Sequence, residues 1–397
     1  MPLGLYLSVP FCRTKCTYCN FASDVFSRAV FARYIDRLCA DIHTTPETAR
    51  QMGGLLEPDA DSVYLGGGTP TVLDSQQLER LFVTVQQQFR LLPETEVTVE
   101  CAPGTLTPEV LETLLRCGVN RVSLGVQSFV DQEAASVGRL HKRATVLDDI
   151  VRLRRAGITN INVDLIAGLP HQTAESWKES VESVISLGAP HVSVYMLEVD
   201  EDSRLGRELI AGGTKYHAHF VPDEELTADL YEAACDRLNA AGIVQYEISN
   251  FARPGMESRH NLKYWTRQPY LGFGVDAHSM LKASAGELDA VRFSSSDSLE
   301  SHVSGTPLNR VEVSHRAALE ESFFLGLRLN KGVDLEKMRD EFGAFVITPL
   351  RDLLVDLIGA GVIEWERDRV CLTRHGRLIS NEVFERFLEC GAETPAH

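Results

Sequence analysis

Long hydrophobic runs are absent from this 397-residue sequence. No apolar run approaches the roughly 18 residues that a membrane-spanning helix needs, so the sequence predicts no membrane span. The apolar segment near Met1 is only a few residues long and follows no basic residues, which is unlike a secretory signal peptide. We therefore expect a cytoplasmic protein, in a compartment where thiols stay reduced and can bind metals.

Basic residues are in the minority. Lys and Arg total 39 against 56 Asp and Glu, and the formal net charge is −17 at pH 7. A surface with this excess of negative charge is repelled by the phosphate backbone, so we expect no nucleic-acid partner. Hydrophobic residues make up 44% of the chain and charged residues 24%, which excludes a wholly disordered or fibrous protein.

The sequence also lacks an even number of cysteines, which a fully paired disulfide framework would need. Nine cysteines in a long chain without a signal peptide argue against a secreted disulfide framework. Three of them, Cys12, Cys16 and Cys19, fall within eight residues in a polar loop with C-x3-C-x2-C spacing. The other six are scattered, and we predict that five fill the core and that the last is exposed. In chain order they are Cys39, Cys101, Cys117, Cys235, Cys371 and Cys390.

The first 250 residues repeat one unit, a short β-branched run followed by an amphipathic helical stretch. The runs lie at 3–9, 62–65, 96–100, 121–126, 161–166 and 191–197. The helical patterns lie near 28–42, 75–90, 107–117, 144–156 and 173–187. Six such alternations predict an α/β fold built of parallel βα units. Periodicity alone leaves open whether the strands form a barrel or an open sheet.

The positions of unusual residues favour a barrel. They follow successive strand ends: the GGGTP run at 66–70, then Glu100, Gln127 and Asp164. In a βα barrel these ends converge on one face, which carries the active site, whereas in an open sheet they spread along a line. For any one of these residues alone, loop or cap chemistry is the alternative interpretation.

The pattern changes after about residue 250. Residues 250–312 are predicted to be irregular, with a polar run at 294–298. Helical patterns at 315–329, 334–342, 346–359 and 376–389, with a hairpin at 361–373, resemble a winged helix. That fold often binds DNA, but this hairpin has no excess of basic residues. We therefore expect a structural or interaction module.

The cysteine loop carries the strongest chemical signal. Three thiolates are one short of the four ligands that close a tetrahedral structural zinc site. A four-iron cluster held by three thiolates instead keeps one iron open for a small molecule. Zinc with a distant fourth ligand remains the alternative interpretation.

Together these motifs resemble the radical S-adenosylmethionine superfamily. Cys12, Cys16 and Cys19, with Tyr18 before the last cysteine, follow a first strand as in its signature, and the GGGTP run is similar to its glycine motif. The resemblance covers nearly the whole chain and points to the HemN/HemW branch, the anaerobic coproporphyrinogen III oxidase-like family. Its further motifs are VE at 99–100, GVQSF at 125–129, GRLH at 138–141 and DLIAGLP at 164–170.

The resemblance implies the domain organisation. It implies a partial (β/α)6 TIM-type barrel at 1–250 as the radical S-adenosylmethionine core. A connecting segment at 251–312 would follow, then a C-terminal helical, winged-helix-like domain at 313–390 and a tail at 391–397.

The resemblance also implies the cofactors. The three cysteines of the loop would hold a [4Fe–4S] cluster, and S-adenosylmethionine would bind at its open iron. Glycines let the backbone approach such a ligand, Glu100 suits a cationic group, Asp164 suits ribose hydroxyls, and Arg139 can bind a carboxylate with two hydrogen bonds. The residues implied to contact S-adenosylmethionine are Tyr6, Tyr18, Gly67, Gly68, Thr69, Glu100, Gln127, Arg139 and Asp164.

Two functions fit the resemblance. One is a HemW-like heme chaperone, which binds heme and transfers it to an acceptor such as a membrane-bound respiratory enzyme. The other is the radical enzyme coproporphyrinogen III dehydrogenase of heme biosynthesis. Phe21 stands where that enzyme has a further cysteine, Cys12 lies close to Met1, and an H-N-x-x-Y-W motif occupies 260–265. These features favour the chaperone without dehydrogenase activity, and a zinc-bound interaction scaffold is the third alternative.

The H-N-x-x-Y-W motif supplies the candidate heme residues His260, Asn261, Tyr264 and Trp265. An imidazole is a normal axial ligand of heme iron, and two aromatic rings can form a flat apolar wall. Spacing alone favours another interpretation, in which the aromatic residues belong to the core and His260 caps a turn. The resemblance makes His260 the candidate ligand, with His278 as a weaker alternative.

Overall fold

The computed structural model of the protein describes residues 1–346 and 348–389. Cys390 and the predicted tail at 391–397 lie outside the described residues. Within the described ranges, no helix has the length and apolar character needed to cross a membrane. The eight cysteines of these ranges are all free thiols.

Six parallel strands form the centre of the molecule, and each pairs with the next strand along the chain. They are β1 (Leu3–Ser8), β2 (Asp59–Gly66), β3 (Arg90–Cys101), β4 (Arg121–Gln127), β5 (Asn160–Ala167) and β6 (His191–Met196). The helices between them are α1 (Arg28–His43), α2 (Thr45–Met52), α3 (Ser75–Gln88), α4 (Pro108–Arg116), α5 (Asp131–Ser136), α6 (Arg143–Arg155) and α7 (Ala174–Ser186). The six predicted strands and five predicted helices are confirmed, while α2 and α5 are additional.

Local sequence explains these elements. β1 and β4 are almost wholly buried, the pattern of parallel strands that are covered on both faces. At the start of α4, the Thr107 hydroxyl accepts a hydrogen bond from the backbone N–H of Val110, and Pro108 lies in the first turn. Gly118 ends the same helix in the left-handed conformation, with φ of 83°, which glycine adopts without strain.

The chain after β6 adds two helices and a second short pair of strands. They are α8 (Arg204–Ile210), α9 (Glu224–Ala240), β7 (Val244–Gln245) and β8 (Asn250–Ala252). The long helix α9 packs against α7 and is missing from the sequence prediction. Its buried face mixes leucine and tyrosine with alanine and cysteine, so its apolar stripe is weak in the sequence.

The structure corrects the prediction that residues 251–312 are irregular. They contain α10 (Arg259–Trp265), β9 (Tyr270–Phe273), β10 (His278–Lys282), β11 (Leu288–Ser294), α11 (Leu299–Ser304) and β12 (Asn309–Ser314). β9 lies parallel to β1, and β10, β11 and β12 continue from it as antiparallel neighbours. These strands are short, and glycine- and serine-rich turns separate them, which obscures their alternation. The polar run at 294–298 starts at the end of β11 and forms the turn before α11.

The C-terminal part has helices and a hairpin in the predicted order. Its elements are α12 (His315–Leu327), β13 (Val333–Asp334), α13 (Leu335–Phe342), α14 (Arg351–Gly359), β14 (Ile363–Glu366), β15 (Arg369–Leu372), α15 (Arg374–Leu378) and α16 (Ser380–Glu389). β13 adds a third strand to the β14–β15 hairpin, as in a winged helix. This part has a core of its own, in which Phe323, Leu354 and Phe387 are fully buried.

The large sheet is open. Its strand order is β12-β11-β10-β9-β1-β2-β3-β4-β5-β6-β8-β7. No pairing joins β1 to β6 in the described part of the chain, because β9 and β8 occupy their outer edges. The fold is therefore the predicted partial (β/α)6 barrel, and the carboxyl ends of β1 to β6 lie at one end of it.

Replacing Phe11 with alanine tests how the core supports that end. Phe11 is fully buried, stacks on Phe31 at 3.9 Å between ring centroids, and meets Tyr34 edge-on at 5.1 Å. We expect Phe11→Ala to lower the free energy of unfolding by about 3–5 kcal/mol, because it removes a buried aromatic ring and leaves a cavity. Urea unfolding of the full chain measures this loss.

The matched control is Phe345→Ala, because the Phe345 side chain is 84% exposed. It should leave the unfolding midpoint nearly unchanged. Equal losses in both variants would show that Phe11 is not a core anchor.

Candidate functional site

The cysteine loop begins where β1 ends. The backbone N–H of Cys12 donates to the carbonyl of Asp24 at 3.0 Å, and the Asp24 N–H donates to the carbonyl of Pro10 at 3.0 Å. Cys16 is buried, while Cys12 and Cys19 are half-buried. The loop is thus closed across its ends and directs its three thiols into the carboxyl end of the barrel.

The thiols have polar neighbours. The Thr69 hydroxyl donates to Cys12 Sγ at 3.8 Å, and the Arg139 guanidinium donates to Cys16 Sγ at 3.5 Å. Burial raises the pKa of Cys12 and of Cys19 above the ordinary thiol value, and the neighbouring thiols raise both further. Iron binds the thiolate, so loading the loop with metal must release protons.

The donor set fits a cluster better than a single zinc ion. The loop supplies three thiols, those of Cys12, Cys16 and Cys19. A structural zinc site would need four such ligands together. Three thiolates on one short loop instead match a four-iron cluster with one open iron.

The glycine run after β2 lies against the cysteine loop. A side chain at Gly68 would come within 2.6 Å of the Val9 carbonyl oxygen and 2.9 Å of the Phe11 backbone nitrogen, so only glycine fits there. The Thr69 N–H donates to the Phe11 carbonyl at 2.8 Å. Gly67 has φ of 90°, a left-handed conformation that favours glycine. The two loops therefore form one unit, with backbone at the position predicted to meet the cofactor.

Glu100 lies at the end of β3 beside the glycine run. Its carboxylate accepts hydrogen bonds from the Tyr64 hydroxyl, at 2.9 Å, and from the backbone N–H of Gly67. Burial raises the pKa of Glu100 to about 7, and the nearby Asp164 carboxylate adds to the shift. A buried carboxylate with this pKa is stabilised in its charged form by a cation. Glu100 is therefore placed to pair with a cationic group of a ligand.

Asp164 lies on β5 within the same end of the barrel. Its carboxylate accepts hydrogen bonds from the Asn162 amide at 2.7 Å and from the Ser123 hydroxyl at 3.2 Å. Burial raises the pKa of Asp164, while these donors oppose the shift. The carboxylate is held in place and still has acceptor capacity for hydroxyl groups.

Gln127 and Arg139 carry polar atoms without partners. Gln127 ends β4 in the left-handed conformation, with φ of 69°, and its buried Oε1 has no hydrogen-bond partner among the described residues. Arg139 donates to the carbonyl of Gly125, but its buried Nε is likewise unpaired within them. Both atoms lie at the carboxyl end of the barrel, where a bound molecule can supply their hydrogen-bond partners.

Two tyrosines that were predicted to contact S-adenosylmethionine lie at the same end of the barrel. Tyr6 lies beside the glycine run, since a side chain at Gly67 would come within 3.1 Å of its hydroxyl. Tyr18 packs against the buried cluster around Ile166, and burial raises the pKa of its hydroxyl. The structure therefore brings the residues predicted to hold the cluster and S-adenosylmethionine to one end of the barrel.

Sequence reasoning missed the polar side chains behind this site. Ser123 pairs in register with Glu100, and Ser193 pairs with Asp164 on the next strand. A signal existed, because polar residues recur at matching positions of otherwise apolar parallel strands. The missed residues are Tyr64, Ser123, Asn162, Ser193 and Tyr195.

His260 lies apart from this site, in the amino half of the barrel. Its Nδ1 is 3.0 Å from the Ser62 hydroxyl, its Nε2 is 2.8 Å from the Tyr264 hydroxyl, and its ring stacks on Tyr64 at 5.3 Å. Burial lowers the pKa of His260 to about 3. Neither ring nitrogen is free for iron in this arrangement, which differs from what an accessible axial ligand requires.

The other residues of the H-N-x-x-Y-W motif make contacts with neighbouring parts of the fold. The backbone N–H of Asn261 donates to the Ser258 hydroxyl, which caps α10. The Tyr264 ring meets Tyr270 edge-on at 4.6 Å. The guanidinium of Arg328, from the C-terminal part, lies 4.3 Å from the centre of the Trp265 ring. His278 is exposed at the start of β10, with its Nε2 at 3.8 Å from an Asp276 carboxylate oxygen.

Replacing Cys16 with serine tests the cluster ligands. Because a serine hydroxyl stays protonated at neutral pH, Cys16→Ser should lose the cluster after anaerobic reconstitution. Iron and sulfide analysis and visible absorbance measure this loss. Cys371→Ser, which changes a free thiol on β15, should load normally. Full cluster absorbance in Cys16→Ser would show that the ligand assignment is wrong.

Glu100 predicts a pH dependence of S-adenosylmethionine binding. The raised pKa means that the carboxyl group is mostly neutral below about pH 7 and charged above it. Affinity for the positively charged sulfonium compound should therefore increase from about pH 6 to about pH 8. Glu100→Gln should flatten this profile and weaken binding roughly tenfold at the higher pH.

Equilibrium binding to the reconstituted protein measures the profile. Glu79→Gln, at an exposed position of α3, is the matched control and should retain it. The same slope in Glu100→Gln would show that another group titrates.

Comparisons with known proteins agree with this geometry. The Radical SAM superfamily model matches residues 6–184, and the HemN C-terminal domain model matches residues 313–379. The solved structure of coproporphyrinogen III oxidase (HemN) from Escherichia coli, described as a radical SAM enzyme, superposes with a TM-score of 0.82 at 24% identity. It covers 97% of this chain and 90% of that one. This likeness shows a shared fold.

Curated relatives match over nearly their full length. Heme chaperone HemW of Lactococcus lactis is 34% identical, over 98% of this chain and 97% of the relative. Heme chaperone HemW of Bacillus subtilis is 35% identical, over 96% of this chain and 98% of the relative. The chain therefore belongs to the HemW family of the radical SAM superfamily.

Proposed function

We propose that this protein is a heme chaperone that binds heme, a [4Fe–4S] cluster and S-adenosylmethionine, and transfers heme to an acceptor such as a membrane-bound respiratory enzyme. The observation that carries the proposal is the full-length likeness to relatives named heme chaperone HemW. The likeness to the oxidase HemN, at 24% identity, supports the fold alone.

Phe21 supports the chaperone over the dehydrogenase. This side chain follows the third cysteine of the loop and is 65% exposed. The dehydrogenase has a further cysteine at the corresponding position, whereas this chain presents an apolar ring to solvent. An exposed ring beside the cluster loop suits contact with a flat apolar ligand.

The residues of the carboxyl end have separate tasks in this proposal. The cluster, when bound, supplies an open iron that S-adenosylmethionine can occupy. Gly67 and Gly68 let the ligand approach the backbone. Glu100 neutralises the cationic part of the ligand, and Asp164 accepts hydrogen bonds from its hydroxyl groups. Arg139, which donates to Cys16 Sγ, offsets negative charge on the thiolates.

We also propose a cytoplasmic location. The eight free thiols in the described part of the chain fit a reducing compartment. If His260 is the heme ligand, α10 must rearrange first, because both ring nitrogens have hydrogen-bond partners.

Heme titration of the reconstituted protein tests the function. We expect a saturable Soret shift, with and without S-adenosylmethionine, and transfer of the bound heme to membranes that carry a heme-free respiratory enzyme. Cys16→Ser should lose the cluster and keep much of its heme binding, because a porphyrin needs no thiolate from the loop.

Two outcomes would contradict the proposal. Formation of protoporphyrinogen from coproporphyrinogen III, with S-adenosylmethionine and a reductant, would favour the dehydrogenase. One zinc per chain without iron or sulfide would favour an interaction scaffold.

A further inference from the structure

Tyr64 contacts both the candidate S-adenosylmethionine site and the helix that carries the H-N-x-x-Y-W motif. Its hydroxyl donates to Glu100 Oε1 at 2.9 Å. Its ring stacks on the His260 ring, with 5.3 Å between centroids and 29° between planes. On β1, Tyr6 pairs in register with Tyr64, and the two rings lie 6.1 Å apart between centroids. One side chain thus joins a residue of the carboxyl end of the barrel to a residue of its amino half.

The Tyr64 hydroxyl is a fixed donor to Glu100. It has no second hydrogen-bond partner among the described residues. Burial raises the pKa of Tyr64 far above its ordinary value, and the Glu100 and Asp164 carboxylates raise it further, so the hydroxyl keeps its proton. A side chain at Gly66 would come within 2.8 Å of Glu100 Oε1 and 2.9 Å of Tyr64 Cε1. The pair therefore packs against the backbone of the glycine run, which limits the positions open to both side chains.

The bond from Tyr64 favours the charged form of Glu100. Burial raises the pKa of Glu100 to about 7, whereas the hydrogen bonds from Tyr64 and from the Gly67 N–H lower it. The other ionisable groups that interact with this carboxylate carry no positive charge, and they are Tyr6, Asp164 and Tyr195. Before a ligand binds, the Tyr64 hydroxyl and the Gly67 backbone are therefore the groups that stabilise the negative charge of Glu100.

Helix α10 is anchored on β2 and β3, the strands that carry this pair. Glu96 of β3 accepts hydrogen bonds from the backbone N–H groups of Arg259 and His260, both at 3.2 Å. Lys263 Nζ lies 2.7 Å from a carboxylate oxygen of Asp61 on β2. Turning a ring nitrogen of His260 towards iron therefore requires a change where α10 meets these two strands.

The Tyr64 ring loses support when His260 leaves its place. The ring then has no stacking partner on that side, and its hydroxyl is no longer held on Glu100. A carboxylate without a fixed donor is less often charged, so it pairs less strongly with a cation. Ligation of heme iron by His260 should therefore weaken the S-adenosylmethionine site. Because coupling between two binding sites is reciprocal, S-adenosylmethionine should weaken heme binding by the same factor.

We infer that Tyr64 positions Glu100 for S-adenosylmethionine and couples that site to the helix of the heme motif, so that S-adenosylmethionine lowers the affinity for heme. This inference rests on the proposed heme function and gives the cofactor a task in it. Bound S-adenosylmethionine favours the release of heme, which a chaperone needs when it meets an acceptor. The coupling requires binding of S-adenosylmethionine and no cleavage of it.

The pH profile of S-adenosylmethionine binding tests the positioning role. Tyr64→Phe keeps the ring and removes the hydroxyl, so it should load the cluster as the wild type does. It should weaken S-adenosylmethionine binding roughly threefold to tenfold at about pH 7.5. Its profile should move to higher pH, because Glu100 loses a bond that favours its charged form.

Tyr216→Phe is the matched control, since it removes the hydroxyl of a half-buried tyrosine after α8. It should retain the affinity and the profile of the wild type. An unchanged profile in Tyr64→Phe would refute the positioning role.

Paired titrations of the reconstituted full-length protein test the coupling. Hemin is titrated with and without saturating S-adenosylmethionine, and S-adenosylmethionine with and without hemin. In the wild type and in Tyr216→Phe, each ligand should weaken the other by the same factor, about fivefold or more. In Tyr64→Phe both factors should fall to near one. Its hemin affinity without S-adenosylmethionine should stay close to that of the wild type, because the phenyl ring keeps the stack on His260.

The outcomes separate this inference from the proposed function. Failure of the wild type to bind hemin would refute the heme function itself, and the pH profile would still decide the role of Tyr64. Equal hemin affinity with and without S-adenosylmethionine would overturn the coupling and leave the chaperone function intact. A coupling factor that persists in Tyr64→Phe would show that another residue carries it.

Discussion

The close contact between the cysteine loop and the glycine run is the constraint on which the rest of the site depends. Gly68 lies so near the Val9 carbonyl that no side chain fits between them, and Thr69 bonds both the backbone beside Cys12 and its sulfur. Because the first loop follows β1 and the second follows β2, the parallel pairing of these strands sets the position of the thiols. The candidate cluster ligands and the backbone predicted to meet the cofactor therefore belong to one corner of the fold.

Sequence patterns predict this corner and the barrel around it well. Each parallel strand is a nearly continuous apolar run, and glycines, carboxylates and amides interrupt the pattern where the strands end. The same reasoning fails at 251–312 and at α9. In both, short strands or small buried residues such as alanine give a weak periodic signal, and tertiary packing decides the structure.

The polar residues inside the barrel give only a weak signal in the sequence, and the reason is different. Ser123 and Ser193 are unremarkable in a strand, and they acquire a role only from their neighbours across the sheet. His260 is a different case, because the candidate heme ligand of the H-N-x-x-Y-W motif is buried, with Ser62 and Tyr264 as its hydrogen-bond partners. Tyr64 stacks on His260 and donates a hydrogen bond to Glu100, so one tyrosine contacts both the buried histidine and the candidate site.

The stacking of Arg328 on Trp265 has a consequence for folding. The guanidinium also lies 3.8 Å from the carboxylate of Glu247, which is fully buried in the barrel part. Without the C-terminal part, that carboxylate would lose its only nearby cation among the described residues, and the indole would face water. Dividing the chain near residue 312 would therefore lower the stability of the separated parts. The C-terminal part thus supplies the counterion of a carboxylate that is buried in the barrel part. The two parts should therefore unfold as one cooperative unit.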